Sequence, residues 1–325
     1  MENILMIFNT ITNYLTGNFD YAAELRGFFM AVQASMAVRN GRNKQNKMAW
    51  FHAFMASVFA GFAGGTFAPM LMGRPSLMLS SDINFCVCTL AFILVNYTPF
   101  DIGYKIVGSF PGVLVYTLFA QLFRVNGLIS FNSIAFEAFK NSPSKYYPIP
   151  IVGPIIFPII LANMGGFFAK GIDGHLKNGM PWPIQNGIFC ATLYHFYVND
   201  QTGVIGVALR ENIANACDLL KNHITTLVPD LEKAFGSSLS EQQFAFIAVS
   251  AFMHVTAVLQ LPSFFGPSFN PFVSIFSGPI FIFNALTSFL PSNTSKKIEN
   301  DVQAKSTQDV NTTSKRKKSK GKKQH

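Results

Sequence analysis

The chain has 325 residues, 50% of them hydrophobic and only 13% charged, with 35 phenylalanines and a mean hydropathy of +0.30. An ordinary soluble domain is about 25% charged, so a water-borne fold is excluded: too few charges would have to cover too much apolar surface. The net charge of +9 is concentrated at one end, because the segment from Pro291 onward holds ten Lys/Arg against three Asp/Glu, net +7, and leaves +2 for the body.

In chain order, the N-terminus carries Glu2 in place of a basic region, and no small-residue cleavage pattern follows its short apolar run, so no cleavable signal is expected. A membrane crossing needs about 20 mainly apolar residues. Seven stretches meet that demand: Tyr21–Val38, Met48–Met72, Ile83–Pro99, Ile102–Phe123, Pro148–Ala169, Pro183–Val198 and Phe244–Leu261. An eighth run, Asn270–Leu290, is interrupted by Pro271, Gly278 and Pro279 and reads as interfacial or re-entrant. The loop after the first span, RNGRNKQNK, holds Arg39, Arg42, Lys44 and Lys47 with no acid, and the positive-inside bias places it in the cytosol. Seven crossings put the basic tail on the same side. The loop from Asp200 to Glu241, three basic and six acidic residues, then faces the opposite side, and its pattern from Val207 to Phe235 suits an amphipathic helix.

Between the third and fourth spans lies YTPFDIGYKIVGSFPG. Pro99 disfavours helix at Thr98, Asp101 suits an N-cap, and Lys105 is placed to pair with Asp101 or to reach the interface. Farther along, Gly64-Gly65-Thr66-Phe67-Ala68 in the second span recurs as Gly165-Gly166-Phe167-Phe168-Ala169 in the fifth. The copies cross the membrane in opposite senses, the arrangement of an inverted repeat with breaks near mid-membrane. Paired glycines serve either close helix packing or a broken helix beside water-filled space. Ionisable residues within spans are few: Asp20, Glu24, Arg26, Arg124 at the end of the fourth and Lys170 at the end of the fifth. Such groups are functional candidates by default. Cys86-Val-Cys88 lacks a second ligand pair, so no metal is expected, and no acid/base or nucleophile constellation points to an enzyme.

The segment Tyr97 to Val125, through Pro99, Asp101, Tyr104, Lys105, Phe110-Pro111 and Arg124-Val125, resembles the third-to-fourth helix junction of trimeric intracellular cation channels. FAGGTFAPMLMGRP, Phe19-Asp20, Gly165-Gly166 and the lysine-rich end resemble the same family, over most of Phe19 to Leu261. The resemblance implies an all-α membrane protein of seven transmembrane helices, as two inverted three-helix repeats (about 19–99 and 102–200) plus a seventh helix at 244–261. Residues 1–290 would form the channel domain and 291–325 a disordered, basic, cytosolic tail. The implied function is a monovalent-cation channel, chiefly for K+, in the endoplasmic or sarcoplasmic reticulum membrane. It would work as a homotrimer, with a pore in each protomer, and supply counter-ion flux during Ca2+ release; nucleic acid has no part in it. Implied pore residues are Gly64, Gly65, Gly165 and Gly166, with Asp101, Lys105, Gln121 and Arg124 as candidates near pore or lipid. The family's Lys-Glu-Val triplet aligns with Ala120-Gln121-Leu122, so no cofactor is expected and anionic phospholipid of the family type is disfavoured. Lys322-Lys323 near the C-terminus resembles a dilysine retrieval signal. A non-conducting scaffold or regulatory subunit and a secondary transporter remain the competing functions.

Overall fold

The computed structural model describes residues 2–142, 145–171, 175, 180–227, 240–266 and 269–272. Among them the regular structure is helical. The chain divides into two units, Met1–Asn270 and Pro271–His325, and the second falls almost wholly outside the described residues, as do the tail and nearly all of the Asn270–Leu290 run.

Eleven described helices are numbered here in chain order. They are α1 (Glu2–Thr16), α2 (Ala22–Asn40), α3 (Trp50–Leu71), α4 (Asp82–Asn96), α5 (Ile102–Gly108), α6 (Phe110–Phe139), α7 (Val152–Asn163), α8 (Gly165–Lys170), α9 (Trp182–Tyr194), α10 (Val204–Leu227) and α11 (Glu241–Leu259). Four segments are long and apolar enough to cross a membrane: α3, α6, α7 with α8, and α11; the pair formed by α4 and 99–108, bent by 85°, makes a fifth if it counts as one span. The chain is a multi-pass membrane protein.

Local chemistry sets the ends. Ser240 and Gln243 form a reciprocal capping box at the start of α11. Prolines stand in the first turns of α6 and α9, where a missing N–H costs nothing. The fourth span was expected to stop at Phe123 with Arg124 at its end, but α6 runs on to Phe139 and places Arg124 in mid-helix. The polar side chains that interrupt the apolar run find partners within the protein: Asn126 donates to Leu122 O at 2.9 Å and Asn132 to Pro154 O at 2.8 Å. A helix survives buried amides when each is hydrogen-bonded.

Two apolar clusters organise the body. Val32, Met36, Phe62, Cys88 and Val95 join α2, α3 and α4, while Val125, Leu128, Ile159, Tyr194 and Val249 join α6, α7, α9 and α11. Between them, small residues (Ala34, Ala56, Ala60, Ala169) let α2, α3 and α8 approach closely. The N-terminal segment, in which no element was expected, forms α1. Its last turn is fastened to α11 by Ser250 Oγ donating to Leu15 O at 2.8 Å and by Tyr14 OH at 3.3 Å from His254 Nε2.

Candidate functional site: an intrahelical cavity floored by Arg124

A cavity of about 430 Å³ lies among α2, α3, α6, α7, α8 and α11, closed on one side by Trp182 and Pro183 at the start of α9. Polar side chains on the wall include Gln33, Asn40, Thr117, Gln121, Arg124, Asn163, Lys170, His175 and Gln260. Arg124 and Lys170 are cations, and among the described residues of the wall none is a carboxylate.

Arg124 is the deepest charge. Its Nε donates to Ala162 O at 3.1 Å, Nη1 to Gln121 Oε1 at 3.3 Å and Nη2 to Asn163 Oδ1 at 2.8 Å. Among the described residues no carboxylate forms an ion pair with it. Buried charge without a counter-charge is tolerated only when hydrogen-bonded, and here three neutral acceptors supply those bonds. A monovalent cation about 5 Å from an uncompensated guanidinium would be opposed by roughly 3 kcal/mol at an effective dielectric constant of about 20. How this charge is offset therefore decides what passes.

Asn163 ends α7, Met164 interrupts the helix, and Gly165-Gly166 opens α8. Gly165 and Gly166 line the cavity. Gly64 and Gly65 do not; they lie within α3, which passes through them without an end. Gly64 packs so closely that a Cβ there would sit 1.7 Å from Leu161 O, and a Cβ at Gly165 would sit 1.9 Å from Ala60 O. These two contacts are reciprocal: the same sequence step separates Gly64 from Gly165 and Ala60 from Leu161. Gly65 has only ordinary contacts with Leu77, whose N–H donates to Gly65 O at 2.9 Å. The ring of His175 lies across Gly166, 2.4 Å from where a Cβ would be.

Asp101 and Lys105 are not on the cavity wall. Asp101 occupies the cap position of α5, yet its side chain caps nothing, and the carboxylate pairs with Arg39 Nη2 at 2.8 Å instead of with Lys105. Phe100 and Asp101 both take left-handed backbone angles, φ 54° and 58°, which turn the carboxylate toward α2. Thr98 caps in its place, its hydroxyl accepting from Gly103 N–H at 2.8 Å. Arg39 also donates to Val95 O and lies 4.0 Å over the Tyr104 ring, and Tyr104 OH donates to Asn40 Oδ1 at 2.6 Å. This cluster ties α2 to α4 and α5 and belongs to the scaffold of the site. Ala120 is fully buried behind the wall. Lys322 and Lys323 lie outside the described residues.

Sequence reasoning missed Gln33, Asn40, Thr117 and above all Asn163. The available signal for Asn163 was a lone amide in an apolar run, two positions before the glycine pair.

Residues 39–156 match the model of the TRIC channel family. None of the curated proteins matches the sequence. The fold is similar to that of a trimeric intracellular cation channel from C. elegans determined in the absence of Ca2+, at 14% identity and a TM-score of 0.51, covering 78% of this chain and 97% of that one. It is similar also to a structure described as explaining the activity of TRIC counter-ion channels in calcium release, at 12% identity and a TM-score of 0.52, covering 81% of this chain and 100% of that one. The junction motif lies inside the matched residues and the fold is shared over most of its length, so the chain has the fold of the trimeric intracellular cation channels and, over residues 39–156, the sequence pattern of the TRIC channel family, a family of channels.

Proposed function

We propose that the chain is a monovalent-cation channel, chiefly for K+, in the endoplasmic or sarcoplasmic reticulum membrane, assembled as a homotrimer and carrying counter-ions during Ca2+ release. The observation that carries this reading is the polar cavity within a single protomer, bordered by the interruption between α7 and α8 and lined by amide side chains such as Gln33 and Gln260 that can replace part of an ion's hydration shell. The similar structures, described as trimeric and as counter-ion channels, support assembly and cation passage. In this reading α2, α3, α4, α5 with α6, α7 with α8, α9 and α11 are the seven crossings, and the first six form two inverted repeats. The reciprocal contacts of Gly64 with Leu161 and Gly165 with Ala60 support the repeat, since two halves related by a two-fold axis meet through matching pairs. Gly165, Gly166, Gln121 and Arg124 border the path, Gly64 sets its packing, and family-type phospholipid has no resident role because Ala120 stands in place of a lysine.

Purified protein in planar bilayers with a KCl gradient tests the reading. The expected result is unitary current reversing on the K+ side of zero. A trimer that passes no current at any voltage would leave the scaffold reading, which one observation favours: among the described residues the cavity wall holds the cations Arg124 and Lys170 and no carboxylate.

A further inference from the structure

We propose that Asn163 and Gln121 are positioning residues that hold the Arg124 guanidinium against the C-terminal end of α7, withdrawing its charge from ions in the cavity and so setting the balance between cation and anion passage. The inference rests on the cation-channel reading and deepens it.

The geometry of the break carries it. An interruption in a helix leaves carbonyls beside it without their full intrahelical hydrogen-bonding, and a nearby donor can use them. α7 ends at Asn163, and Arg124 donates to Ala162 O and to Asn163 Oδ1, the last two residues of that helix. The guanidinium therefore sits where α7 is interrupted at Met164, within a 19-residue apolar segment that runs on through α8. Asn163 is fixed in turn, because its Nδ2 donates to Ile159 O at 3.0 Å and packs against Gly187, where a Cβ would come within 2.8 Å of that nitrogen. With Nδ2 so committed, Oδ1 is the atom left to face Arg124. Gln121, one turn back on α6, accepts from the remaining branch. Among the described residues of the wall no carboxylate shares the work. Released from these neutral partners, the guanidinium is free to move toward the middle of the cavity and bring its charge nearer to ions there, repelling cations and drawing anions.

The test uses the full chain in bilayers under a KCl gradient, with arginine reactivity as a readout independent of current. Asn163→Leu removes the acceptor, Gln121→Ala removes the second one, and Asn163→Asp keeps the acceptor and adds a charge. The expected result is a reversal potential displaced toward chloride in Asn163→Leu and Gln121→Ala, a fall of about threefold in the K+/Cl− permeability ratio, the scale of bringing a unit charge about 1 Å nearer at an effective dielectric constant of about 20. Asn163→Asp should hold or raise the ratio, which a merely structural role for Asn163 would not produce. Phenylglyoxal modification of Arg124, read by mass spectrometry, should be faster in Asn163→Leu than in the wild type by a similar factor. If Asn163→Leu does not fold, Gln121→Ala and Asn163→Asp carry the comparison. Folded variants with wild-type reversal potential and wild-type Arg124 reactivity overturn the proposal. A wild type without current removes the channel reading instead, and the reactivity comparison then decides the positioning role.

Discussion

At the residue scale, the two glycine pairs separate into different jobs. Gly64 and Gly165 lie where backbone meets backbone, and a methyl at either has no flexible neighbour to displace. Gly64→Ala and Gly165→Ala should each destabilise the protein by about 1–3 kcal/mol, the usual cost of overpacking. Gly65→Ala, with its nearest side-chain contact at 3.6 Å, should stay within about 0.5 kcal/mol of wild type. Thermal unfolding of the purified protein in detergent checks the order, and equal losses at Gly64 and Gly65 would refute the packing assignment. Asp101 follows the same lesson of partners distant in sequence. Its ion pair with Arg39 has one buried and one half-exposed member, so solvent screens part of its strength, and its main effect is to fix where α5 leaves α4.

At the element scale, the helices that matter most are the interrupted ones. α7 and α8 together have the length of one crossing, interrupted at Met164, and Asn163, Gly165 and Gly166 on either side of the interruption line the cavity. α10 is different: 24 residues long and exposed over most of its described surface, it is held at its N-terminal end by Asp200. That fully buried carboxylate accepts from Tyr147 OH at 2.5 Å and from the N–H groups of Gly203 and Gly206 at 2.9 and 2.8 Å. Loss of hydration and the adjacent carboxylate push the Tyr147 phenol above its ordinary pKa, which keeps it a donor. Arg210 closes the corner by donating to Tyr197 O, Asp200 O and Gln201 O. Asp200→Ala leaves two buried N–H groups without partners, at about 1–3 kcal/mol each. Amide hydrogen exchange over 203–210 should accelerate at least tenfold, while exchange in α6 stays unchanged; unaltered exchange at the corner would remove Asp200 from its anchoring role.

At the scale of the whole molecule, charge decides orientation and address. The basic loop after α2 and the +7 tail share the cytosolic side in the seven-crossing reading. Lys322 and Lys323 then face retrieval machinery, or else serve with Lys315, Arg316, Lys317, Lys318 and Lys320 as a patch for anionic lipid, at about 1 kcal/mol per basic residue near the surface. A receptor reads position from the free end, whereas a lipid surface reads only charge. Replacing Lys322 and Lys323 with serine should therefore release a tagged protein to the cell surface, and neutralising Lys317 and Lys318 should not. Surface biotinylation measures both, and equal effects from the two pairs would reject a positional signal.

The sequence by itself determined the solvent and the helical class, and it carried a resemblance to one channel family. Composition excludes water as the surrounding medium, apolar runs of membrane length leave helices as the fitting structure, and the Tyr97–Val125 junction is specific enough to name relatives. It also marked Gly165-Gly166 and Arg124 as places of interest, because a paired glycine and an arginine are conspicuous in apolar sequence. Only the tertiary structure decided what those residues touch. The run of α6 beyond Phe123, the pairing of Asp101 with Arg39 in preference to Lys105, and the seat of Arg124 on Ala162 and Asn163 all depend on partners 22 to 62 positions away. Local pattern carries the periodicity of an element and the chemistry of its ends. A buried polar side chain is stable or costly according to what another helix presents to it, and that is settled only when the helices pack.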